Sequence, residues 1–225
     1  MDVADRARAF VRVTGPDARD YLQRMVSNDV DALAVGDSCP ALLLTAKARL
    51  IAPLVVWRRG EDDYLLLTEP ELGEPVRSHL ARMRLRARCE IEAEEHESKL
   101  VFGGEGIATD FPGAVEVLDV GLEPTLTHDE LELRRIEAGV PRWGRELDDA
   151  ILPAEAGLDE THISFSKGCY PGQEPIARLH YRGHVNRKLQ VVELDDETSV
   201  ERVTSSARRP DGSVVALAYV RTTRA

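Results

Sequence analysis

The sequence offers little that would hold the chain together from outside its own core. It has three cysteines, Cys39, Cys89 and Cys169, odd in number, widely spaced and without a C-x-x-C pair. That argues against a disulfide framework and against a structural zinc site. No apolar run approaches the roughly 20 residues of a membrane span. The opening residues, Met1-Asp2-Val3-Ala4-Asp5-Arg6, lack the apolar centre of a signal peptide. The expected compartment is a reducing cytoplasm. Basic charge is also short. The net charge is −11, which argues against a broad nucleic-acid surface, so no direct DNA binding is expected. Lysine is scarcer still, at four of 29 basic residues; the rest are arginines, the better partners for planar anions.

What is present is an ordinary globular composition. The 225 residues are 43% apolar and 31% charged, enough for one large domain or two smaller ones with a real core. Ala9 to Val13 reads as a strand. Gly15-Pro16-Asp17 opens a helix whose buried face is Ala18, Tyr21, Leu22 and Met25. Pro40 to Leu44, Leu50 to Trp57 and Tyr64 to Leu67 read as an antiparallel meander. Pro70 to Met83 is a second helix, with Leu72, Val76, His79, Leu80 and Met83 on one face. Cys89 to Glu92, Leu100 to Phe102 and Val115 to Val120 are short strands, with loop from Gly103 to Gly113. Thr127 and Glu130 form a capping box for a third helix, whose face carries Leu133, Ile136 and Val140 and which ends at Gly139 and Pro141. Ile176 to His180 is a short helical or extended segment. Lys188 to Val192, Val200 to Ser205 and Ser213 to Arg221 alternate as strands, with a turn at Pro210-Asp211-Gly212. The order lacks regular βαβα alternation. The fold class is therefore α+β, with ferredoxin-like antiparallel subdomains covered by helices and a small C-terminal β module. The units are expected at 1–160 and 161–225.

One stretch stands apart: Lys167-Gly168-Cys169-Tyr170-Pro171-Gly172-Gln173-Glu174. The glycines permit angles that side chains forbid, and Pro171 fixes φ. It reads as a shaped loop that holds a thiol in place. Lys167 or a helix N-terminus can lower a thiol pKa. His162, His180 and His184 are near in sequence, and Glu174 can orient one of them, so a Cys/His/Glu nucleophilic arrangement is conceivable. The commoner fate of a free cysteine is burial in a core. His180 and His184 have i,i+4 spacing, but Gly183 weakens the helix between them and no carboxylate pattern accompanies them, so no metal site is expected. Arg178, Arg182, Arg187 and Lys188 form a basic cluster, either solvated or a clamp for a carboxylate or phosphate. Glu137 accepts hydrogen bonds from a heterocycle if it points inward; outward, it is an ordinary surface glutamate.

These residues also carry a resemblance. Lys167 to Glu174, followed by Ala177-Arg178 and Arg182-Gly183, resembles the signature of the YgfZ-type folate-binding proteins, relatives of the glycine-cleavage T-protein (aminomethyltransferase). Val13 to Ala18, Tyr21-Leu22-Gln23, Asn28-Asp29-Val30 and Arg135 to Pro141 are similar to other parts of that superfamily. The resemblance implies a ring of α+β subdomains closed by a small C-terminal β-barrel, with tetrahydrofolate or a one-carbon derivative in the central opening. It implies a monomeric accessory factor for assembly or repair of iron–sulfur enzymes, including tRNA-modifying ones. Its partners would be folate and iron–sulfur client enzymes or assembly factors. By position, Glu137 matches the glutamate that contacts the pterin and Cys169 the functional thiol. Asn28, Asp29, Tyr170, Arg178 and Arg182 complete the implied folate contacts, and Lys167, Gly168, Gly172, Gln173 and Glu174 the cysteine motif. Three departures accompany it. Ala52 and Pro53 stand where the T-protein carries paired aspartates, and neither can move a proton, so aminomethyl transfer should be lost. The segment from Lys99 to Thr127 is short and the tail after Lys188 compressed. Arg8 and Leu131 stand where a bacterial relative carries tryptophans.

Overall fold

Short alternating runs punctuated by polar turns give short strands, which build three antiparallel sheets among the described residues. The computed structural model describes residues 1–194 and 202–222. In chain order, β1 (Asp2–Asp5) and β2 (Ala9–Thr14) precede α1 (Ala18–Met25) and the meander β3 (Ser38–Leu44), β4 (Leu50–Gly60) and β5 (Asp63–Thr68). Next come α2 (Gly73–Met83), β6 (Glu90–Glu94), β7 (Ser98–Phe102), β8 (Ile107–Ala108) and β9 (Ala114–Leu118). The second half holds α3 (His128–Glu137), α4 (Gln173–Arg182), β10 (Arg187–Leu194), β11 (Val203–Arg208) and β12 (Val214–Arg221). The sheet orders are β3-β4-β5-β2-β6, β1-β7-β9-β8 and β10-β12-β11. No helix among the described residues is long and apolar enough to cross a membrane.

The first sheet carries the largest core. Helix α1 buries Ala18, Tyr21, Leu22 and Met25, the face that the spacing predicts. The Tyr21 hydroxyl donates to the Leu80 carbonyl at 2.6 Å and ties α1 to α2. Helix α2 buries Val76 and Leu80; each such side chain removed from water contributes about 2 kcal/mol. Met83, expected on the same face, is exposed, because it is the final helical residue, one turn past the Leu80 anchor. In the second sheet, β8 lies within the stretch expected to be all loop.

The Thr127 capping box forms as expected. Thr127 N–H donates to Glu130 Oε2 at 2.8 Å, and Glu130 N–H donates back to Thr127 Oγ1 at 3.3 Å. Ile136 of α3 then packs on Val215 and Leu217 of β12. The third sheet is open and three-stranded among the described residues. Its expected strand from Val200 begins in residues outside those described. One hydrophobic cluster joins Leu42, Leu44 and Leu50 to Leu158, Ile163, Tyr170, Ile176 and Tyr219. A continuous core therefore crosses the expected unit boundary at residue 160.

A buried ion pair fastens α3 to the third sheet. Arg135 and Glu146 are 3% and 1% exposed. Arg135 Nη1 donates to Glu146 Oε2 at 2.9 Å and to the Val140 carbonyl at 2.6 Å, while Nη2 reaches Ser205 Oγ at 2.8 Å. Ser205 Oγ donates to Glu146 Oε1 at 2.6 Å. Arg135 also donates to Glu132, through Nε at 2.9 Å and Nη2 at 2.8 Å. Arg135→Met strands the buried Glu146 and is expected to cost about 3–5 kcal/mol in urea unfolding, Glu146→Leu less because Glu132 still meets the guanidinium, and the double variant clearly less than the sum. Additive losses would show that the two side chains do not act as a pair.

Candidate functional site

The cysteine loop is anchored from below by its own lysine. Lys167 is buried, and its Nζ donates to the carbonyls of Val26 and Asn28 at 2.8 and 2.6 Å. It also lies 5.6 Å from the Tyr170 ring centroid. Burial pulls its pKa down to about 8, against the pull of Asp29. The carbonyls belong to the chain leaving α1, which other bonds hold in place. Ser27 Oγ donates to the His162 carbonyl at 2.6 Å and accepts from Leu42 N–H at 2.8 Å, and the Ser27 carbonyl accepts from Ser164 N–H at 3.0 Å. Asn28 Nδ2 donates to the carbonyls of Pro40 at 2.7 Å and Thr161 at 3.2 Å, while its Oδ1 accepts from Asp29 N–H at 2.9 Å. Asp29 Oδ1 in turn accepts from Gln23 Nε2 at 2.9 Å.

The far end of the loop is fixed by steric fit. Gly172 caps α4 with φ +85°, and a Cβ there would lie 2.7 Å from the Thr45 carbonyl oxygen and 3.0 Å from Ala48 Cα. Only glycine lets the loop rest on the β3–β4 hairpin turn. Tyr170 is buried in the cluster with Leu42 and Leu50. Between these anchors Gly168 and Cys169 are exposed. A Cβ at Gly168 would meet open space, so no close approach requires that glycine.

This geometry redistributes the residues read from the sequence. Lys167 points inward to backbone carbonyls, so its ammonium is committed to holding the loop. No hydrogen bond among the described residues joins Cys169 to His162, His180 or His184. His162 is buried and pairs through Nδ1 with Thr161 Oγ1 at 2.8 Å. Gln173 is half-buried and Glu174 exposed at the start of α4. Glu137 takes the outward orientation: it is exposed and accepts from Arg209 Nε of the Arg208–Ser213 turn at 2.5 Å. Arg178 and Arg182 line a cavity of about 290 Å³ beside α4. Among the described residues, no three His, Cys, Asp or Glu side chains gather to hold a metal ion.

Sequence reasoning missed a buried charge cluster between the first two sheets. Arg8 Nη2 donates to Glu116 Oε1 at 2.5 Å and lies 3.6 Å from Asp110 and, through Nη1, 3.7 Å from Glu69. Burial alone would raise the Asp110 pKa; Arg6 and Arg8 reverse that and hold it at about 2. The available signal was Glu116 itself, a carboxylate inside the apolar run Val115-Glu116-Val117.

The comparisons with known proteins agree with this architecture. Residues 3–101 match the GCVT N-terminal domain. The solved glycine cleavage system aminomethyltransferase T from Bartonella henselae superposes with TM-score 0.75 over 98% of this chain and 78% of its own, at 17% identity. The chain has the fold of the glycine-cleavage T-protein. Among similar curated sequences are the mitochondrial iron–sulfur cluster assembly factor IBA57 homolog of Neurospora crassa, 23% identical over 81% of this chain and 51% of its own length. Another is the tRNA-modifying protein YgfZ of Pectobacterium carotovorum, 25% identical over 80% of this chain and 66% of its own. The chain thus spans about half the length of the IBA57 homologs it matches. The two β4 positions of interest both sit within the first sheet. Ala52 is fully buried opposite Leu43, and the Pro53 carbonyl accepts from Thr68 Oγ1 at 2.8 Å.

The lysine anchor has a pH signature. Between pH 8 and the unfolded value near 10.4, the unfolded chain keeps a proton that the folded chain has released, so stability rises with pH. The unfolding free energy of wild type minus that of Lys167→Met is expected to increase by about 3 kcal/mol across that window. A flat difference would show that the ammonium is not held in this buried position.

Proposed function

We propose that the protein is a tetrahydrofolate-binding accessory factor that supports assembly or repair of iron–sulfur clusters in client enzymes, tRNA-modifying enzymes among them. One observation carries the reading: Cys169 is exposed on a loop anchored at both ends, by Lys167 below and Gly172 beyond. A catalytic thiol is ordinarily hydrogen-bonded to a base, and no described base is hydrogen-bonded to this one. It is therefore built for presentation to a partner's sulfur or iron. The names of similar proteins, an iron–sulfur cluster assembly factor and a tRNA-modifying protein, support the same role. Its partners are then iron–sulfur enzymes or their assembly factors, and its place of action the cytoplasm.

The folate part of the reading rests on the T-protein fold and on the chemistry of the candidate contacts. Arg178 and Arg182 offer guanidinium groups suited to the glutamate carboxylates of a folate, and the aromatic wall beside them suits its ring. Glu137, Asn28, Asp29 and Tyr170 remain the other proposed contacts, with Glu137 needing to leave Arg209 to reach a pterin. Bound folate would supply a one-carbon carrier; the chain would bind and orient it. The alternative is an aminomethyltransferase-class enzyme acting on another one-carbon substrate. The fold favours it, but β4 carries Ala52 and Pro53 in place of a proton-transferring pair, which favours the accessory role.

Two measurements test the reading. Tetrahydrofolate should quench Trp57 and Trp143 fluorescence saturably, and Glu137→Ala should weaken binding about tenfold if that carboxylate contacts the pterin; unchanged affinity removes Glu137 from the site. Cys169→Ala should fold normally yet fail to restore activity in cells with an iron–sulfur-enzyme defect that wild type complements. Full rescue by the variant would sink the proposed role of the thiol.

A further inference from the structure

The cavity beside α4 that Arg178 and Arg182 line has an apolar interior. Leu152, Pro153, Ile163, Ile176 and Leu179 make an apolar wall around the cavity of about 290 Å³. That is the small end of ligand sites, which run from about 300 to 1,000 Å³, and it suits one or two rings better than a whole folate. In the same lining, His180 stacks on Phe165, with ring centroids 3.9 Å apart and planes 22° from parallel.

The rim carries two arginines outside the ion pairs that engage many of the others. The chain carries a net charge of −11, and most of its arginines meet a carboxylate: Arg8 with Glu116, Arg59 with Glu94, Arg88 with Asp17, Arg209 with Glu137. Arg178 and Arg182, one turn apart on α4, both line the cavity. Neither makes a hydrogen bond or ion pair among the described residues. Asp159 also lines the cavity and pairs with neither. Two guanidinium groups against one carboxylate leave the rim net positive, beside an apolar, aromatic interior. Arginine forks match planar anions bidentately.

We propose that this cavity is a binding site for a planar aromatic anion. The ring would seat against the aliphatic wall and the Phe165–His180 pair, with its carboxylate at Arg178 and Arg182. The shared chemistry, a ring bearing carboxylates, can come from the p-aminobenzoylglutamate arm of a folate or from a separate aromatic acid. The site itself does not depend on the folate reading.

The test uses full-length protein and two naphthalene probes of nearly the same shape. One is anionic, 8-anilinonaphthalene-1-sulfonate; the other is neutral, N-phenyl-1-naphthylamine. Arg178→Gln with Arg182→Gln should weaken the anionic probe about tenfold or more and the neutral probe less than about twofold. Phe165→Ala should weaken both about fivefold. Far-UV circular dichroism and urea midpoints confirm that the variants fold. Unchanged anionic-probe affinity in the arginine variant, or equal loss for both probes, overturns the proposal. Competition with tetrahydrofolate then separates the sources. Displacement of the anionic probe assigns the site to the folate arm. Folate binding without displacement assigns it to a separate aromatic acid. Absence of folate binding, with arginine-dependent probe binding retained, removes the folate reading and leaves this site standing.

Discussion

The hydrogen bonds from the Lys167 ammonium to the carbonyls of Val26 and Asn28 organise this end of the molecule. They join two segments about 140 residues apart in sequence. The carbonyls lie where the chain leaves α1, a helix pinned to the first sheet by four buried side chains. The lysine lies at the entry to the cysteine loop. Placing an ammonium out of water is costly unless its donors are met. The surrounding turn is correspondingly complete: Ser27, Asn28 and Asp29 all have their polar side chains engaged. The loop is thus an extension of the first sheet's core, although it belongs to the second half of the chain.

The same device recurs where the sheets meet. Arg8 and Glu116 join the first sheet's neighbourhood to the second, and Arg135, Glu146 and Ser205 join α3 to the third. Buried ion pairs add little net stability over apolar packing, since desolvation offsets their attraction. Their geometry is demanding, however. An arginine fork satisfied on both sides fixes angle and distance, which a greasy seam between small sheets does not. With three small sheets in place of one large core, such seams define how the parts sit together.

Much of the frame was legible in the sequence. The α1 face, the meander and the Thr127 capping box follow from local spacing and local hydrogen-bond chemistry, which a sequence displays directly. The likeness to YgfZ-type proteins, which the similar sequences bear out, was legible in the cysteine motif. What was hidden depends on partners distant in sequence. Lys167 beside Cys169 suggested help for the thiol, but its partners are at 26 and 28. Glu137 gave no hint of Arg209, nor Glu116 of Arg8. The short segment at Ile176 was undecided because its apolar residues are few; α4 is set by the Gly172 cap and by packing on the hairpin.

The loop buries its one basic side chain and leaves its sulfur outermost. A thiol so placed makes no hydrogen bond to a histidine among the described residues. On the proposed reading its reactivity is borrowed: a metal, a charge or a second sulfur would arrive on the other molecule. Selectivity then resides in the encounter, and a chain of this design can remain chemically silent among many bystanders until the right surface meets it.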